Sequence, residues 1–169
     1  MVGIDVVDLK DPLLKPRGQR ALRLILHPED QIEKLDNLFW LLWTAKESVF
    51  KCKRKVEPFA PQSIPIQIIS NKEQLTFRSA EFNGEFIIKE EYIAAVAARN
   101  NISTTHYIWK TRTKNPSDEV RNKLIELKAP NGEFIVETDS SGLPSISSTQ
   151  SPISFTHHRN YCGFAILGN

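Results

Sequence analysis

Two short segments in the first third of the chain constrain its fold and chemistry more than any other feature. Residues 3–8, Gly-Ile-Asp-Val-Val-Asp, form an apolar, β-branched run interrupted by Asp5, which predicts a strand that presents a carboxylate. Residues 43–51, Trp-Thr-Ala-Lys-Glu-Ser-Val-Phe-Lys, predict a helix on which Glu47 and Lys51 share a face. A strand carboxylate, a helix carboxylate and a neighbouring lysine can hold a hard divalent cation and a phosphate together.

Length and composition indicate one domain, or one domain built from two small lobes. The 169 residues are 40% hydrophobic, which is enough for a core, and carry a net charge of +2. The basic residues form two clusters, Lys10, Lys15, Arg17, Arg20 and Arg23, followed by Lys51, Lys53, Arg54 and Lys55. Each cluster fits an anionic ligand or acidic partner, or simply a solvated helix face.

The other compositional features favour a cytoplasmic protein that does not enter the membrane. Cys52 and Cys162 lack metal or redox spacing and are expected to be reduced thiols. The N-terminus shows no signal peptide, and no apolar run approaches the roughly 20 residues of a membrane span. The pI of about 8.5, without interleaved aromatic residues or a recognised motif, argues against a nucleic-acid partner.

Hydrophobic periodicity and turn residues predict alternating helices and strands, and hence an α+β fold. Helices are expected over 17–26, from 28 onward, over 37–55 and over 115–128. Strands are expected over 2–7, 66–69, 75–78, 85–88, 92–97, 106–110, 133–137, 153–156 and 161–167. Asn83-Gly84 predicts a hairpin turn, and the composition of 139–151 predicts a loop. The likeness of 92–97 to 161–166 predicts two related α/β lobes, about 1–100 and 101–169, around a pseudo-twofold axis.

Three motifs in order carry a resemblance to a known family. The Gly-Ile-Asp strand, the Trp-Thr-x-Lys-Glu-Ser-x-x-Lys helix and Ser154-Phe155-Thr156-His157 resemble the motifs of the 4'-phosphopantetheinyl transferases. Their order is that of the short, holo-acyl-carrier-protein-synthase type. The resemblance implies a 4'-phosphopantetheinyl transferase-like fold, circularly permuted relative to the larger two-lobed enzymes. The C-terminal strand should then lie near the N-terminal strand.

The resemblance also implies roles for individual residues. Asp5 and Glu47 match the family's metal ligands, with Mg²⁺ as the expected ion and Mn²⁺ as a substitute. Glu47 and Lys51 match its catalytic residues, and Lys51 also matches the lysine that contacts the pyrophosphate of coenzyme A. The hydroxyl–histidine pair that contacts the phosphates of coenzyme A corresponds to Thr156 and His157, with His158 as the alternative if the register slips by one.

Further resemblance-based expectations concern less specific positions. Gly142 and Pro144 lie where the family often has Gly-Lys-Pro near the nucleotide, but Leu143 replaces that lysine. Lys46 belongs to the helix motif, and either an exposed role toward a partner or a ligand role is open. Val7 occupies a position that is acidic in the larger enzymes. Asp8 lies one position later, as in the short synthases, and strand alternation should point it away from Asp5.

The implied reaction is transfer of 4'-phosphopantetheine from coenzyme A to a serine of an apo acyl or peptidyl carrier protein, with release of 3',5'-ADP. The resemblance implies a role in a pathway such as fatty acid biosynthesis, while carriers of polyketide or nonribosomal peptide synthesis stay open. The basic residues Arg17, Arg20 and Arg23 are predicted to dock the acidic carrier. The alternative is a non-catalytic module that binds coenzyme A or a carrier through a degenerate site.

Overall fold

The chain folds into two five-stranded antiparallel sheets, each with helical cover. The computed structural model describes residues 1–30, 35–53, 57–71, 74–128, 135–138, 143–147 and 151–168. The first sheet contains β1 (Val2–Asp8), β2 (Gln67–Ser70), β3 (Leu75–Ser79), β4 (Phe82–Ile88) and β5 (Tyr92–Arg99). The second contains β6 (Thr104–Lys110), β7 (Val136–Thr138), β8 (Pro144–Ile146), β9 (Ser151–His158) and β10 (Tyr161–Leu167).

Both sheets have the same strand order. The first strand of each pairs with the last, giving β1-β5-β4-β3-β2 and β6-β10-β9-β8-β7. Each sheet also has helix between its first and second strands: α1 (Gln19–Ile25) and α2 (Leu38–Lys53) in one case, α3 (Pro116–Lys128) in the other. The expected mixture of helices and strands is therefore confirmed. The pseudo-twofold axis, the permutation and the single-domain organisation stay predictions.

The core of the first sheet lies under α2. The apolar stripe of that helix is buried at Leu41, Leu42, Ala45, Val49 and Cys52. The close packing depends on Gly3, because a Cβ atom there would lie 1.9 Å from the Ser48 carbonyl oxygen of α2. The glycine that precedes Ile4 and Asp5 thus brings β1 against the helix that carries Glu47 and Lys51.

Lobe two packs against β1 of the first sheet through β9 and through β10. Ala165 of β10 joins Val2 and Ile4 in one apolar cluster, and Tyr161 joins Val6 in another. The C-terminal strand thus lies against the N-terminal strand, as expected. None of the helices among the described residues is long and apolar enough to span a bilayer.

The predicted turn at Asn83-Gly84 is wrong, because both residues lie within β4. The hairpin turns instead at Ala80-Glu81, between the paired residues Ser79 and Phe82, with Ala80 at a φ of 49°. Gly84 serves packing, since a Cβ atom there would lie 2.1 Å from Cζ of the Phe77 ring.

Two other expectations need correction. Residues 28–29 form a turn rather than the start of a helix, because the Asp30 carboxylate accepts the His27 and Ile66 amides and so holds this segment in a loop. The segment 139–151 is not entirely loop, since it includes β8, which pairs with β7 and β9.

Candidate active site

Asp5, Glu47 and Lys51 meet where α2 crosses β1. Lys51 Nζ donates to Asp5 Oδ1 at 2.9 Å and to the Ile4 carbonyl oxygen at 3.0 Å. It lies 3.4 Å from Glu47 Oε1, one helical turn away. The structure therefore brings together the three residues that the sequence placed at the centre of the site.

Burial dominates the electrostatics of Asp5. The side chain is 8% exposed, and this desolvation raises the pKa of Asp5 to about 6 although Lys51 opposes the shift. Glu47 adds to the increase through like-charge repulsion. A cation beside Asp5 consequently stabilises its charged form.

Lys51 supplies that positive charge. Desolvation lowers the pKa of Lys51, but the charges of Asp5 and Glu47 outweigh this effect, so that the net pKa is raised. The ammonium group is therefore charged at neutral pH. Since the side chains of Glu47 and Lys51 are 27% and 26% exposed, a ligand can reach both from solvent.

The donor set fits a hard divalent cation that retains much of its water. Two carboxylates converge on one positive charge, and hard cations prefer such oxygen ligands. In the described ranges no three His, Cys, Asp or Glu residues are grouped for metal binding. Mg²⁺ commonly binds through one or two carboxylates together with waters and substrate phosphates, and Asp5 and Glu47 are the residues here that could hold such an ion.

Asp8 points away from Asp5, as strand alternation predicts. It is fully buried, and its carboxylate accepts hydrogen bonds from the Lys10 amide and from the backbone and side chain of Asn160. Asp8 thus joins the end of β1 to the β9–β10 turn. Val7 is buried and offers no metal ligand.

The third motif lies on β9, beside β1. Thr156 is buried, and its hydroxyl accepts the Val6 amide at 3.1 Å while it lies 3.3 Å from Asp5 Oδ1. His158 Nδ1 accepts the Asp8 amide at 3.1 Å. His157 is exposed, and partial desolvation lowers its pKa, with smaller contributions from the charges of Lys51 and His158.

Comparison with protein families decides the identity of the fold that carries this site. The model of the 4'-phosphopantetheinyl transferase superfamily matches residues 1–97. The chain belongs to this superfamily. No curated protein and no solved structure matched it.

The matched region contains Asp5, Glu47 and Lys51 but neither Thr156 nor His157. Thr156 lies outside the matched region and reaches Asp5 because β9 packs beside β1. Gly142 lies outside the described residues, and Pro144 begins β8, which pairs with β9. Their contact with coenzyme A stays a prediction.

The arginines predicted to dock a carrier lie around α1. All three are exposed, but only Arg20 and Arg23 belong to the helix, because Arg17 precedes its first residue. The guanidinium of Arg17 lies over the rings of Phe39 and Trp40, at 5.6 and 5.5 Å from their centroids. Arg20 and Arg23 are exposed on this surface and, unlike Arg17, do not lie over an aromatic ring in the described part of the chain.

An exposed role for Lys46 is wrong. Its side chain is fully buried, forms an ion pair with Asp30 at 2.7 Å and donates to the Ile64 carbonyl oxygen. Burial lowers the pKa of Lys46, and Asp30 opposes this shift. Helical spacing could have indicated this burial, because Lys46 lies four residues after Leu42 and three before Val49 on the apolar stripe.

Proposed function

We propose that this protein transfers 4'-phosphopantetheine from coenzyme A to a serine of an apo carrier protein. The observation that carries the proposal is the convergence of Asp5, Glu47 and Lys51 within the part of the chain that matches the family. Phosphoryl transfer depends mainly on positioning and on neutralising charge, and this arrangement provides both carboxylate and ammonium groups for those tasks.

The chemistry is a substitution at phosphorus. The serine oxygen forms a bond to the phosphorus that bears the pantetheine, and the bond from this phosphorus to the bridging oxygen of the pyrophosphate breaks. The electron pair leaves with 3',5'-ADP. Glu47, partly exposed and adjacent to Lys51, accepts the serine proton directly or through a water molecule.

Lys51 and His157 are the proposed contacts to phosphate oxygens. Lys51 carries a positive charge with access to solvent, and the side chain of His157 is exposed and near enough to Lys51 for that charge to lower its pKa. Mg²⁺ held by Asp5 and Glu47 would supply further charge neutralisation at the pyrophosphate.

Docking of the carrier is proposed on α1. Arg20 and Arg23 are three residues apart, so their side chains lie on one side of the helix, and Leu24 beside them is 71% exposed. A surface with both positive and apolar groups fits an acidic carrier domain.

Leu143 favours one competing function, a binding module without transferase activity. It replaces a lysine that is common in the family, which removes one positive charge from the region where the nucleotide is expected. Such a module would bind coenzyme A or a carrier but release no 3',5'-ADP.

A transfer assay separates the two proposals. The full chain is incubated with coenzyme A, Mg²⁺ and an apo acyl carrier protein, and the carrier mass and released 3',5'-ADP are measured together. We expect one phosphopantetheine to be added per carrier, with loss of activity in Glu47→Gln and in EDTA, and recovery on adding Mg²⁺ or Mn²⁺. Binding of coenzyme A without either product, across a panel of fatty acid, polyketide and peptide carriers, would instead support the binding module.

A further inference from the structure

The outer edge of β1 is satisfied by side chains rather than by another strand. On its inner edge β1 pairs with β5 along its whole length. On the outer edge, the amides of Ile4, Val6 and Asp8 face lobe two. They donate to Ser154 Oγ at 3.0 Å, to Thr156 Oγ1 at 3.1 Å and to His158 Nδ1 at 3.1 Å, respectively.

The regular spacing of these bonds follows from strand geometry. Alternate residues of a strand point to the same side, so three alternating side chains of β9 can meet three alternating amides of β1. In each of the three hydrogen bonds the two residues are 150 positions apart in the sequence, so β1 and β9 run side by side in a constant register. We call Ser154, Thr156 and His158 the β9 ladder.

Thr156 differs from the other two members because it also contacts the proposed metal ligand. Its hydroxyl donates to Asp5 Oδ1 at 3.3 Å while accepting the Val6 amide. A hydroxyl group has one proton to donate. The carboxylate of Asp5 uses that proton, so Thr156 cannot donate to a phosphate oxygen without giving up Asp5.

We infer that Thr156 is a positioning residue for Asp5, not a ligand of coenzyme A, and that the β9 ladder attaches lobe two to the edge of β1. The attachment of lobe two to β1 does not depend on what the protein does. The predicted effect of Thr156 on metal binding and turnover rests on the proposed function. Thr156 of lobe two thereby holds in place the carboxylate of Asp5, which lies in the region that matches the family. The adjacent His157 lies outside the ladder and remains available to a ligand.

Amide hydrogen exchange tests the ladder without reference to catalysis. Thr156→Val keeps the side-chain shape but removes the hydroxyl. We expect exchange at Val6 to accelerate about tenfold or more, as loss of one buried hydrogen bond implies, with smaller changes at Ile4 and Asp8. Thr156→Ser should restore protection. Unchanged protection of Val6 in Thr156→Val would overturn the ladder.

Ser154→Ala is the matched control for the positioning role, because Ser154 belongs to the ladder but does not touch Asp5 in the structure. Calorimetry with Mn²⁺ and steady-state kinetics at saturating substrates are measured on both variants. We expect Thr156→Val to weaken Mn²⁺ binding and to lower kcat about tenfold, with recovery in Thr156→Ser. Ser154→Ala should stay within about twofold of the wild type. Equal losses in the two variants would overturn the positioning role.

Binding of coenzyme A in EDTA decides whether Thr156 is a ligand after all. With metal absent, Thr156→Val should bind coenzyme A as the wild type does, whereas His157→Ala should bind more weakly. A loss in Thr156→Val equal to that in His157→Ala would overturn the inference. If the wild type transfers no phosphopantetheine, the proposed function fails while exchange and Mn²⁺ binding still test the ladder.

Discussion

Lys51 Nζ lies 2.9 Å from Asp5 Oδ1, so a partly buried ammonium and a buried carboxylate form an ion pair between α2 and β1. The two residues are 46 positions apart in the sequence, and their elements are held together at Gly3 as well. This ion pair links the stability of the first lobe to the chemistry of the site, since each partner also has a proposed role with the substrate.

Lys51→Met should destabilise the protein by about 2 kcal/mol at pH 7, because it leaves Asp5 buried without its cation. Adding Asp5→Asn should recover part of this loss. Burial raises the pKa of Asp5 to about 6 from the ordinary 3.8, so the folded state binds the proton more tightly than the unfolded state does. Lys51→Met removes the charge that opposes this shift, so the pKa of Asp5 is higher still in that variant. The free energy of unfolding of Lys51→Met should therefore rise, relative to the double variant, as the pH falls from above 6 toward 4. Urea denaturation across this range measures both effects, and strictly additive losses would contradict the coupling.

His157→Ala should weaken binding of coenzyme A more than His158→Ala does. The reason is that His158 Nδ1 already accepts the Asp8 amide, whereas His157 is exposed near Lys51. His158→Ala should instead reduce thermal stability, since it leaves that amide without its acceptor. Calorimetric titration and thermal unfolding of both variants give the comparison. A dependence of affinity on His158 alone would shift the predicted contact by one residue.

Lys46→Met should destabilise the protein by about 3–4 kcal/mol, because it leaves the Asp30 carboxylate buried and without a counter-charge. In the folded protein, at low temperature, binding of coenzyme A should stay close to the wild-type value. Lys51→Ala is the control, as it should weaken that binding. Denaturation measures the loss of stability, and calorimetry on the same samples measures the affinity for coenzyme A. A loss of affinity in Lys46→Met comparable to that in Lys51→Ala would mean that Lys46 contacts the ligand.

Glu119 in lobe two should make the stability of the protein depend on acid pH. Its carboxylate accepts hydrogen bonds from the side chains of Thr111, Trp109 and Thr113 and from the Arg112 amide. These bonds lower the pKa of Glu119 to about 2, and the bond from Thr111 has the largest effect. The stabilisation is thus complete above the ordinary value of 4.5 and is lost as the pH falls toward 2.

Replacing Glu119 with glutamine isolates this effect. Glu119→Gln should be less stable than the wild type at pH 7, and the difference should shrink as the pH falls from about 5 to 2. Urea denaturation of both proteins at each pH measures this difference in the free energy of unfolding. A difference that stays constant with pH would mean that the carboxylate charge does not contribute.

The sequence predicted those parts of the site that depend on local pattern. Asp5 in its strand, and Glu47 and Lys51 one helical turn apart, required only strand and helix periodicity and the family motifs. Helical spacing is compatible with a buried Lys46, but its counter-charge Asp30 comes from a loop whose position depends on tertiary packing, so the ion pair has no local signal. The hairpin turn was misplaced because Gly84 is required by the Phe77 ring, whereas Ala80 adopts a left-handed conformation without a sequence signal.

The β9 ladder illustrates a second limit. The motif around Thr156 was recognised, yet its hydrogen bonds to β1 depend on how lobe two packs against an unpaired strand edge. Nothing in local periodicity identifies which of two adjacent histidines faces that edge. The register follows only from the three-dimensional arrangement of β1, β9 and β10.

Reversing Arg20 and Arg23 to glutamate tests the proposed carrier surface. Both are exposed on α1, and charges of this kind mainly affect encounter rates and salt dependence. The double variant should raise the apparent KM for an acidic apo carrier and flatten its dependence on ionic strength, because the screened attraction is removed. The affinity for coenzyme A should change little.

Lys114→Glu with Lys123→Glu, the same change of charge in lobe two, is the control and should leave the carrier KM near the wild-type value. If the arginine variant lost as much affinity for coenzyme A as for the carrier, these arginines would contact the nucleotide instead. If the control variant raised the carrier KM equally, net charge rather than a docking surface on α1 would explain the effect.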